Sequence, residues 1–204
     1  MKKLGSLIAV ITKAVLVCVP LCFSAASQAA SVTFTASNEI AQQNAALGLP
    51  IDVSGFTTVS SFQFTLQWDP TVLSFQSESG FANIGGFNSG NFGISSVSSG
   101  TLTVSWDDPN FATDGGGVSL SDGSTLFLIN FMTIGNVGAH SNVSFTDNPT
   151  GREVTVNANP ATFNAVDGGV DIVSVPEPSV AALTFLGAAC LAGGLFGRRK
   201  QSHS

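Results

Sequence analysis

The stretch from Phe62 to Phe75 reads FQFTLQWDPTVLSF, and it carries the clearest structural signal of the chain. Aromatic or aliphatic residues occupy every second position from Phe62 to Trp68, with Gln and Thr between them. Alternate side chains of an extended strand point to opposite faces, so one face of this segment is apolar. Asp69 and Pro70 then give a turn signal. The pattern predicts a half-buried strand from Phe62 to Trp68 that ends in a turn.

Similar alternation recurs through the middle of the chain, at Leu102 to Trp106 and at Val143 to Phe145. The run from Thr125 to Ile134 has apolar residues on both faces, which predicts a central strand. The Gly-, Ser- and Asn-rich stretch from Gly80 to Gly100 predicts a long crossing connection with a weak edge strand. Short strands separated by turn signals predict an all-β, antiparallel sandwich. The turn signals are Asp69-Pro70, Asp107-Asp108-Pro109, Asp114-Gly115-Gly116-Gly117, Asp122-Gly123, Asn148-Pro149 and Asp167-Gly168-Gly169.

The N-terminus has the three-part layout of a secretory signal peptide. Lysines at positions 2, 3 and 13 precede an apolar run from Ala14 to Phe23, and small residues follow up to Ala30. We predict cleavage after Ala29 or Ala30. The alternative is an uncleaved anchor, but the ten-residue run is short of the roughly 20 residues that span a bilayer.

The exported body carries a strong negative charge and no cysteine. Between Ala30 and Val175 there are 12 acids and one base, Arg152, which gives a net charge of −11. Nucleic-acid binding is excluded, because it relies on Lys and Arg that neutralise phosphates. The three cysteines, Cys18, Cys22 and Cys190, all lie in the terminal apolar segments, so the body forms no disulfide.

The C-terminal tail has three parts in a fixed order. A Pro176-Glu177-Pro178 motif comes first, then an apolar stretch from Val180 to Phe196, then the basic cluster Arg198-Arg199-Lys200. The prolines keep the first part extended. The apolar stretch reaches about 25 Å as a helix, which is just enough for a single membrane span. The basic cluster would then stay on the cytoplasmic side.

This tail resembles the PEP-CTERM sorting signal of Gram-negative bacteria that make exopolysaccharide. The resemblance implies recognition of Pro176-Glu177-Pro178 by an exosortase, an integral-membrane processing enzyme, and a transient membrane helix through Val180 to Phe196. It also implies export through the inner membrane to the cell surface or the extracellular medium. A permanent single-pass anchor has nearly the same hydropathy and stays open as an alternative. The predicted division is a signal peptide (1–29), a β-sandwich (30–174) and a sorting tail (175–204).

The body resembles the cohesin-like domains, which are nine-stranded jelly-roll β-sandwiches of bacterial surface and scaffolding proteins. The likeness rests on Phe62 to Phe75, on Asp122-Gly123 with the following strand Leu126 to Phe131, and on the closing strand Gly169 to Ile172. Cohesins bind dockerin modules through one sheet face, and relatives of the fold bind carbohydrate. The resemblance therefore implies a binding module, without placing its binding residues.

Calcium is the metal that the composition favours, since it takes six to eight oxygen ligands. Asp107, Asp108, Asn110 and Asp114 could supply several oxygens from one loop. Their spacing does not fit an EF-hand. The alternative is that these acids form turns and keep the domain soluble.

Little catalytic chemistry can be assembled from the body. It has one histidine, His140, and neither cysteine nor tyrosine. We expect His140 to be an exposed loop residue. Paired carboxylates of a glycosidase stay open, although turn formation accounts for most of the aspartates. Trp68 and Trp106 could form an aromatic platform for a sugar ring, but their place in the alternation predicts core packing.

We therefore expect an exported, non-enzymatic binding or adhesion module with a protein or polysaccharide ligand. The first alternative is a carbohydrate-binding module for exopolysaccharide, which predicts exposed aromatic side chains. The second is a carbohydrate-active enzyme, which predicts two acids converging in a cleft.

Overall fold

The computed structural model of the protein describes residues 29–174. The rest of the predicted signal peptide and the whole predicted sorting tail lie outside the described residues. Within the described part, no helix has the length and hydrophobicity needed to cross a membrane. Its helical elements are one short α-helix, α1 (Phe111–Asp114), and the 3-10 turns Ser89–Asn91 and Val97–Ser99.

The described residues form thirteen strands, several of them very short. The count exceeds the nine that the resemblance implies, because both terminal segments are interrupted where they change sheets and because β6 and β11 have two residues each. The strands are β1 (Ser31–Ala36), β2 (Asn38–Gln42), β3 (Ala46–Ser54), β4 (Val59–Gln67), β5 (Leu73–Ser79), β6 (Phe92–Gly93), β7 (Thr101–Asp107), β8 (Ser124–Thr133), β9 (His140–Thr146), β10 (Glu153–Val156), β11 (Asn159–Pro160), β12 (Thr162–Val166) and β13 (Gly168–Val173).

The strands form two sheets that enclose one hydrophobic core. The first sheet has five strands in the order β12-β1-β3-β8-β5. The second sheet has eight, and β4 is its central strand. One edge of β4 pairs with β9 and β10 in succession, and its other edge pairs with β7, which in turn pairs with β6. Beyond β9 lie β13 and then β2 at the sheet edge.

The core between the sheets is rich in phenylalanine. Phe64 on β4 is fully buried, and its ring centroid lies 5.3 Å from that of Phe34 on β1 and 5.3 Å from that of Phe145 on β9. Phe127 on β8 lies 6.4 Å from Phe64 on the opposite sheet. These tilted, edge-on and stacked pairs add to the stability gained from burial alone. The aromatic cluster therefore joins the two sheets.

The predicted strand alternation is confirmed. On β4 the side chains of Phe62, Phe64 and Leu66 are buried, whereas those of Gln63 and Gln67 are partly exposed. The same alternation buries every second residue on β7 and on β9. Each of these strands has one face on the core, as the period of two predicts.

The strand predicted over Thr125 to Ile134 is β8. It lies inside the first sheet, between β3 and β5, and only one of its faces is fully buried. Phe127, Ile129 and Phe131 face the core, whereas Leu128 and Met132 are partly exposed on the outer face. The apolar residues on the second face of the run therefore lie on the outer surface of the sheet, where Asn130 stands between them.

The prediction of a purely antiparallel sandwich also needs correction, because the two ends of the domain pair in parallel. β1 pairs with β12 in the first sheet, and β2 pairs with β13 in the second. The register is constant across both sheets, since Ser31 faces Thr162 and Asn38 faces Gly169. Both segments thus cross together from one sheet to the other. The Asp167-Gly168-Gly169 signal marks this crossing and not a chain reversal.

The stretch from Gly80 to Gly100 contains an edge strand, as predicted, and it closes one side of the sandwich. It connects β5 of the first sheet with β7 of the second, and its edge strand is β6. Phe87 and Phe92 are buried, and the ring centroid of Phe92 lies 4.9 Å from that of Phe127. Three phenylalanines, at 81, 87 and 92, pack against one another in tilted and edge-on contacts within this stretch.

Candidate binding surface

The outer face of the second sheet is polar, and its side chains on β4 and β7 from Gln63 to Gln67 and from Thr101 to Ser105 are uncharged. Its residues alternate with the buried ones along β4, β7 and β9. Strand pairing brings them into rows that run across two or three neighbouring strands. Glu153, Gln63 and Ser105 form one row across β10, β4 and β7, and Thr155, Ser61 and Asp107 form the next. The outer-face residues of the three long strands are Ser61, Gln63, Thr65 and Gln67 on β4, Thr101, Thr103, Ser105 and Asp107 on β7, and His140, Asn142, Ser144 and Thr146 on β9.

A loop from Asp147 to Arg152 lies over the middle of this face. Thr65 is fully buried although it points outward, because its hydroxyl donates to the carbonyl of Thr150 at 2.8 Å and accepts from the Thr150 N–H at 3.0 Å. Arg152 holds the loop closed with two bonds to the Asp147 carboxylate, from Nε and Nη2, each 2.8 Å long. The guanidinium of Arg152 lowers the pKa of Asp147 to about 2. The only base of the body is thus used within this loop.

The loop separates two depressions on the face. One has a volume of about 330 Å³ and is lined by residues from Gln67 to Asp69 and by the start of β9. The other, of about 140 Å³, is lined by Gln63, Ser105, Asp107 and Glu153 together with hydroxyls from β4 and β10. Hydroxyls and amides dominate both linings, so both offer hydrogen bonds to a partner.

His140, on this face, has hydrogen-bond partners at both of its ring nitrogens. It is the first residue of β9, which corrects the expectation of a loop position. Its Nδ1 lies 2.8 Å from Asp171 Oδ1 on β13, and its Nε2 lies 2.8 Å from Asn142 Oδ1. The ring lies close over Gly169, where an added Cβ would be 2.9 Å from His140 Cε1. Because both ring nitrogens face oxygen atoms, the site fits the doubly protonated imidazolium.

We predict that His140 titrates above its ordinary pKa of 6.5, because the Asn142 side chain and then the Asp171 carboxylate stabilise the charged ring. A raised pKa in the folded state adds stability below the unfolded-state value, and this stability is lost as the pH rises through the folded-state pKa. An NMR titration of imidazole protons in a His203→Gln background, which leaves one histidine, measures this directly. Asn142→Ala should lower the pKa, and a wild-type midpoint at or below 6.5 would contradict the assignment.

The four calcium candidates are divided between a strand end and a short helix. Asp107 is an exposed outer-face residue of β7, whereas Asp108 is buried and accepts the Asn110 N–H at 2.9 Å. Asp114 ends α1 and accepts a weak bond from the Gly116 N–H at 3.3 Å. Among residues 29–174, no three acids, histidines or cysteines gather into a metal-binding cluster. Calcium at this loop stays a prediction that would need hydroxyl, amide and carbonyl ligands.

Most carboxylates of the described residues accept hydrogen bonds from other groups of the domain. Asp69 accepts the Thr71 N–H at 2.8 Å and its hydroxyl at 2.6 Å, and these two bonds lower the pKa of Asp69. Asp122 accepts the Gly55 N–H at 2.7 Å, and Asp167 accepts the Phe145 N–H at 2.9 Å. These contacts agree with the turn interpretation of the aspartates.

Both tryptophans are core residues, as the alternation predicts. Trp68 is 5% exposed and its indole N–H donates to the Leu73 carbonyl at 3.1 Å, while Trp106 is 1% exposed and donates to Gly85 at 2.7 Å. The alternative of an aromatic platform built from these two residues is therefore wrong. The exposed large apolar side chains of the described residues are isoleucines and valines.

Some site predictions fall on residues that the structure does not describe. These are the sorting motif Pro176, Glu177 and Pro178 and the basic cluster Arg198, Arg199 and Lys200. Conversely, the interpretation of the sequence missed the His140 cluster and the loop over Thr65. The spacing of His140 and Asn142, two residues apart in an alternating strand, was the available signal for the first.

Comparison with solved structures identifies the class of fold, which is that of the cohesin domains. The sixth cohesin of scaffoldin B from Acetivibrio cellulolyticus, solved with a Cel5 dockerin, is 22% identical with a TM-score of 0.57, over 70% of this chain and 99% of that one. A non-cellulosomal cohesin from the archaeon Archaeoglobus fulgidus is 19% identical with a TM-score of 0.54, over 72% and 95%.

A third similar structure is the CaCohA2 cohesin of Clostridium acetobutylicum, which is 13% identical with a TM-score of 0.58, over 73% of this chain and 96% of that one. No family model and no curated protein matches the sequence. At these identities the likeness establishes the fold alone. It confirms the predicted cohesin-like β-sandwich.

Proposed function

We propose that the chain is an exported, non-enzymatic protein-binding module of the cell surface or extracellular matrix, which recognises its partner through the outer face of the second sheet. The observation that carries the proposal is the charge distribution on that face. Gln63, Ser105 and Thr103 form an uncharged patch beside the Asp147–Arg152 loop, and the acids Asp107 and Glu153 border this patch. Depletion of charge at the centre of a patch is typical of protein interfaces.

The size of the face fits a protein partner. Six strands, from β6 to β2, lie side by side, and together they have 36 residues. With strand spacings of about 4.8 Å and a rise of about 3.4 Å per residue, the face measures roughly 590 Å². A standard protein interface takes about 800 Å² from each partner. The cohesin relatives support the same kind of function, since one of them was solved bound to a dockerin.

Two finer elements belong to the same proposal. The tail, with Pro176-Glu177-Pro178, the apolar stretch and the basic cluster, serves as a sorting signal for an exosortase-type enzyme in a Gram-negative host. The loop from Asp107 to Asp114 binds calcium. The first is tested by replacing Pro176 and Pro178 with alanine, which should leave the tail unprocessed, and the second by adding a chelator to the binding assay.

The binding test compares two arginine substitutions at exposed positions on opposite faces. Ser105→Arg adds a long charged side chain at the centre of the proposed face, and Thr162→Arg adds the same group on the outer edge of the first sheet. The full chain and each variant are used to capture secreted proteins and polysaccharide of the host. We expect Ser105→Arg to lose the captured protein at least about tenfold, which corresponds to about 1.4 kcal/mol, and Thr162→Arg to retain it.

The outcomes separate the candidate functions. Capture of polysaccharide instead of protein would favour the carbohydrate-binding alternative, which the hydroxyl and amide lining of the face also suits. Equal capture by both variants would contradict the assignment of the face. Both variants should keep wild-type thermal unfolding, since surface substitutions usually change stability by less than about 0.5 kcal/mol.

A further inference from the structure

The last described residues leave the sandwich at the end where β2 and β13 finish together. We call this the exit end, and Gln42 and Val173 face each other there. The β8–β9 loop, residues 134–139, closes it. Gly138 N–H donates to the Ile172 carbonyl at 2.8 Å, and Ile172 N–H donates to Ala139 at 2.9 Å. The loop is therefore fixed against the final residues of β13.

Exposed aliphatic side chains concentrate at this end. Ile134 and Val137 of the loop are 45% and 52% exposed, and Val173 is 39% exposed. Ile40, two residues before the end of β2, is 71% exposed. Of the six large apolar side chains that are exposed among residues 29–174, four thus lie at or near the exit end. Such a concentration marks a contact surface more often than a scatter of single residues does.

The sequence beyond Val173 limits how far this surface can be from a membrane. Six residues, Ser174 to Ser179, separate Val173 from the apolar stretch that begins at Val180. Fully extended, they span about 20 Å. With Val180 to Phe196 in a bilayer, the exit end lies within that distance of the lipid surface.

We propose that the exit end contacts the outer lipid surface of the membrane, with Ile134, Val137 and Val173 inserted among the headgroups. The proposal rests on the membrane role proposed above for the tail. A zwitterionic lipid surface suits the exit end better than an anionic one, because this end carries the acids Asp69 and Asp171, and Arg152 is the only Lys or Arg between Ala30 and Val175. Contact therefore depends on apolar insertion and not on attraction to anionic lipids.

Lipid contact also orients the domain. The run from Ser31 to Gln42 spans the sandwich and is about 40 Å long at the usual rise of a strand. The opposite end, with the β3–β4 turn and the β7–β8 connection, would then point away from the membrane. The outer face of the second sheet would then be roughly perpendicular to the membrane, where a partner from the medium can reach it.

The test uses the chain from Ala30 to Ser204 with Cys190→Ser, reconstituted in phosphatidylcholine vesicles. A polarity-sensitive fluorophore is attached at Val137→Cys or, as the matched control, at Val166→Cys. Val166, at the end of β12, is similarly exposed, at 47%. It lies seven residues before Val173 along the chain, which corresponds to about 23 Å of extended strand. Lipids with a spin label near the headgroup serve as the quencher.

We expect the fluorophore at position 137 to shift to the blue and to be quenched by the labelled lipid, and that at position 166 to show neither change. Flotation of the protein with the vesicles but without quenching at 137 would overturn the lipid contact alone. Equal quenching at both positions would also overturn it, because the proposed orientation would be wrong. If the protein does not float with the vesicles, both the membrane role of the tail and the lipid contact of the exit end are contradicted. The proposed partner-binding face is unaffected, because the arginine substitutions test it separately.

Discussion

Gly168→Ala is expected to destabilise the domain by about 3 kcal/mol or more, which is exceptional for the addition of one methyl group. An added Cβ would overlap with the carbonyl oxygens of Ala36 and Ser37. Both contacts are with backbone, so no flexible side chain can move aside. The methyl group would push apart the two segments at the point where they cross between the sheets.

Urea unfolding of the 30–174 segment, followed by tryptophan fluorescence, measures the loss. Gly151→Ala is the matched control, because an added Cβ there meets nothing within 4 Å. Its effect should stay within about 0.5 kcal/mol, as for other surface substitutions. Equal stability of the two variants would show that the crossing tolerates a side chain, and that the parallel pairing is looser than the structure implies.

Phe64→Ala should cost about 3–5 kcal/mol, as for other large-to-small changes in a well-packed core. The Phe64 ring is fully buried and contacts rings from both sheets, so its removal leaves a cavity at the centre of the sandwich. A loss of this size is a large part of the 5–15 kcal/mol that stabilises a typical domain. We therefore expect partial unfolding at 37 °C.

The neighbouring Gln63→Ala is the control for Phe64→Ala. Gln63 lies on the same strand with its side chain on the outer face, so its replacement leaves the core intact. Calorimetric melting of both variants should show a large drop for Phe64→Ala and almost none for Gln63→Ala. Comparable drops would mean that the inward and outward faces of β4 are misassigned.

The faces of the strands could be predicted from the sequence, but their partners could not. Alternation of Phe62, Phe64 and Leu66 with polar residues was enough to identify which side chains face the core. The pairing of one edge of β4 with both β9 and β10 depends on the loop from Asp147 to Arg152, which has no apolar period. A local pattern predicts which face of a strand is buried. It does not predict which distant strand pairs with it.

The binding face was less predictable than the core for a related reason. Its residues are ordinary serines, threonines and amides, each of which is common in loops and on exposed strands. The His140 cluster unites residues from two strands, and Asp171 is 31 positions after the histidine. Only the antiparallel register of β9 and β13, in which His140 faces Asp171, brings them together.

The parallel pairing of the two ends determines when the domain can complete its folding. β2 has β13 as its strand partner, and their paired residues are 131 positions apart, as for Asn38 and Gly169. Contacts of such high sequence separation form late and slowly, because the chain between them must be ordered first. In a chain that is threaded through a membrane from its N-terminus, β2 waits until β13 has emerged. Completion of the fold would thus report that the whole body has been translocated, just before the tail reaches the membrane.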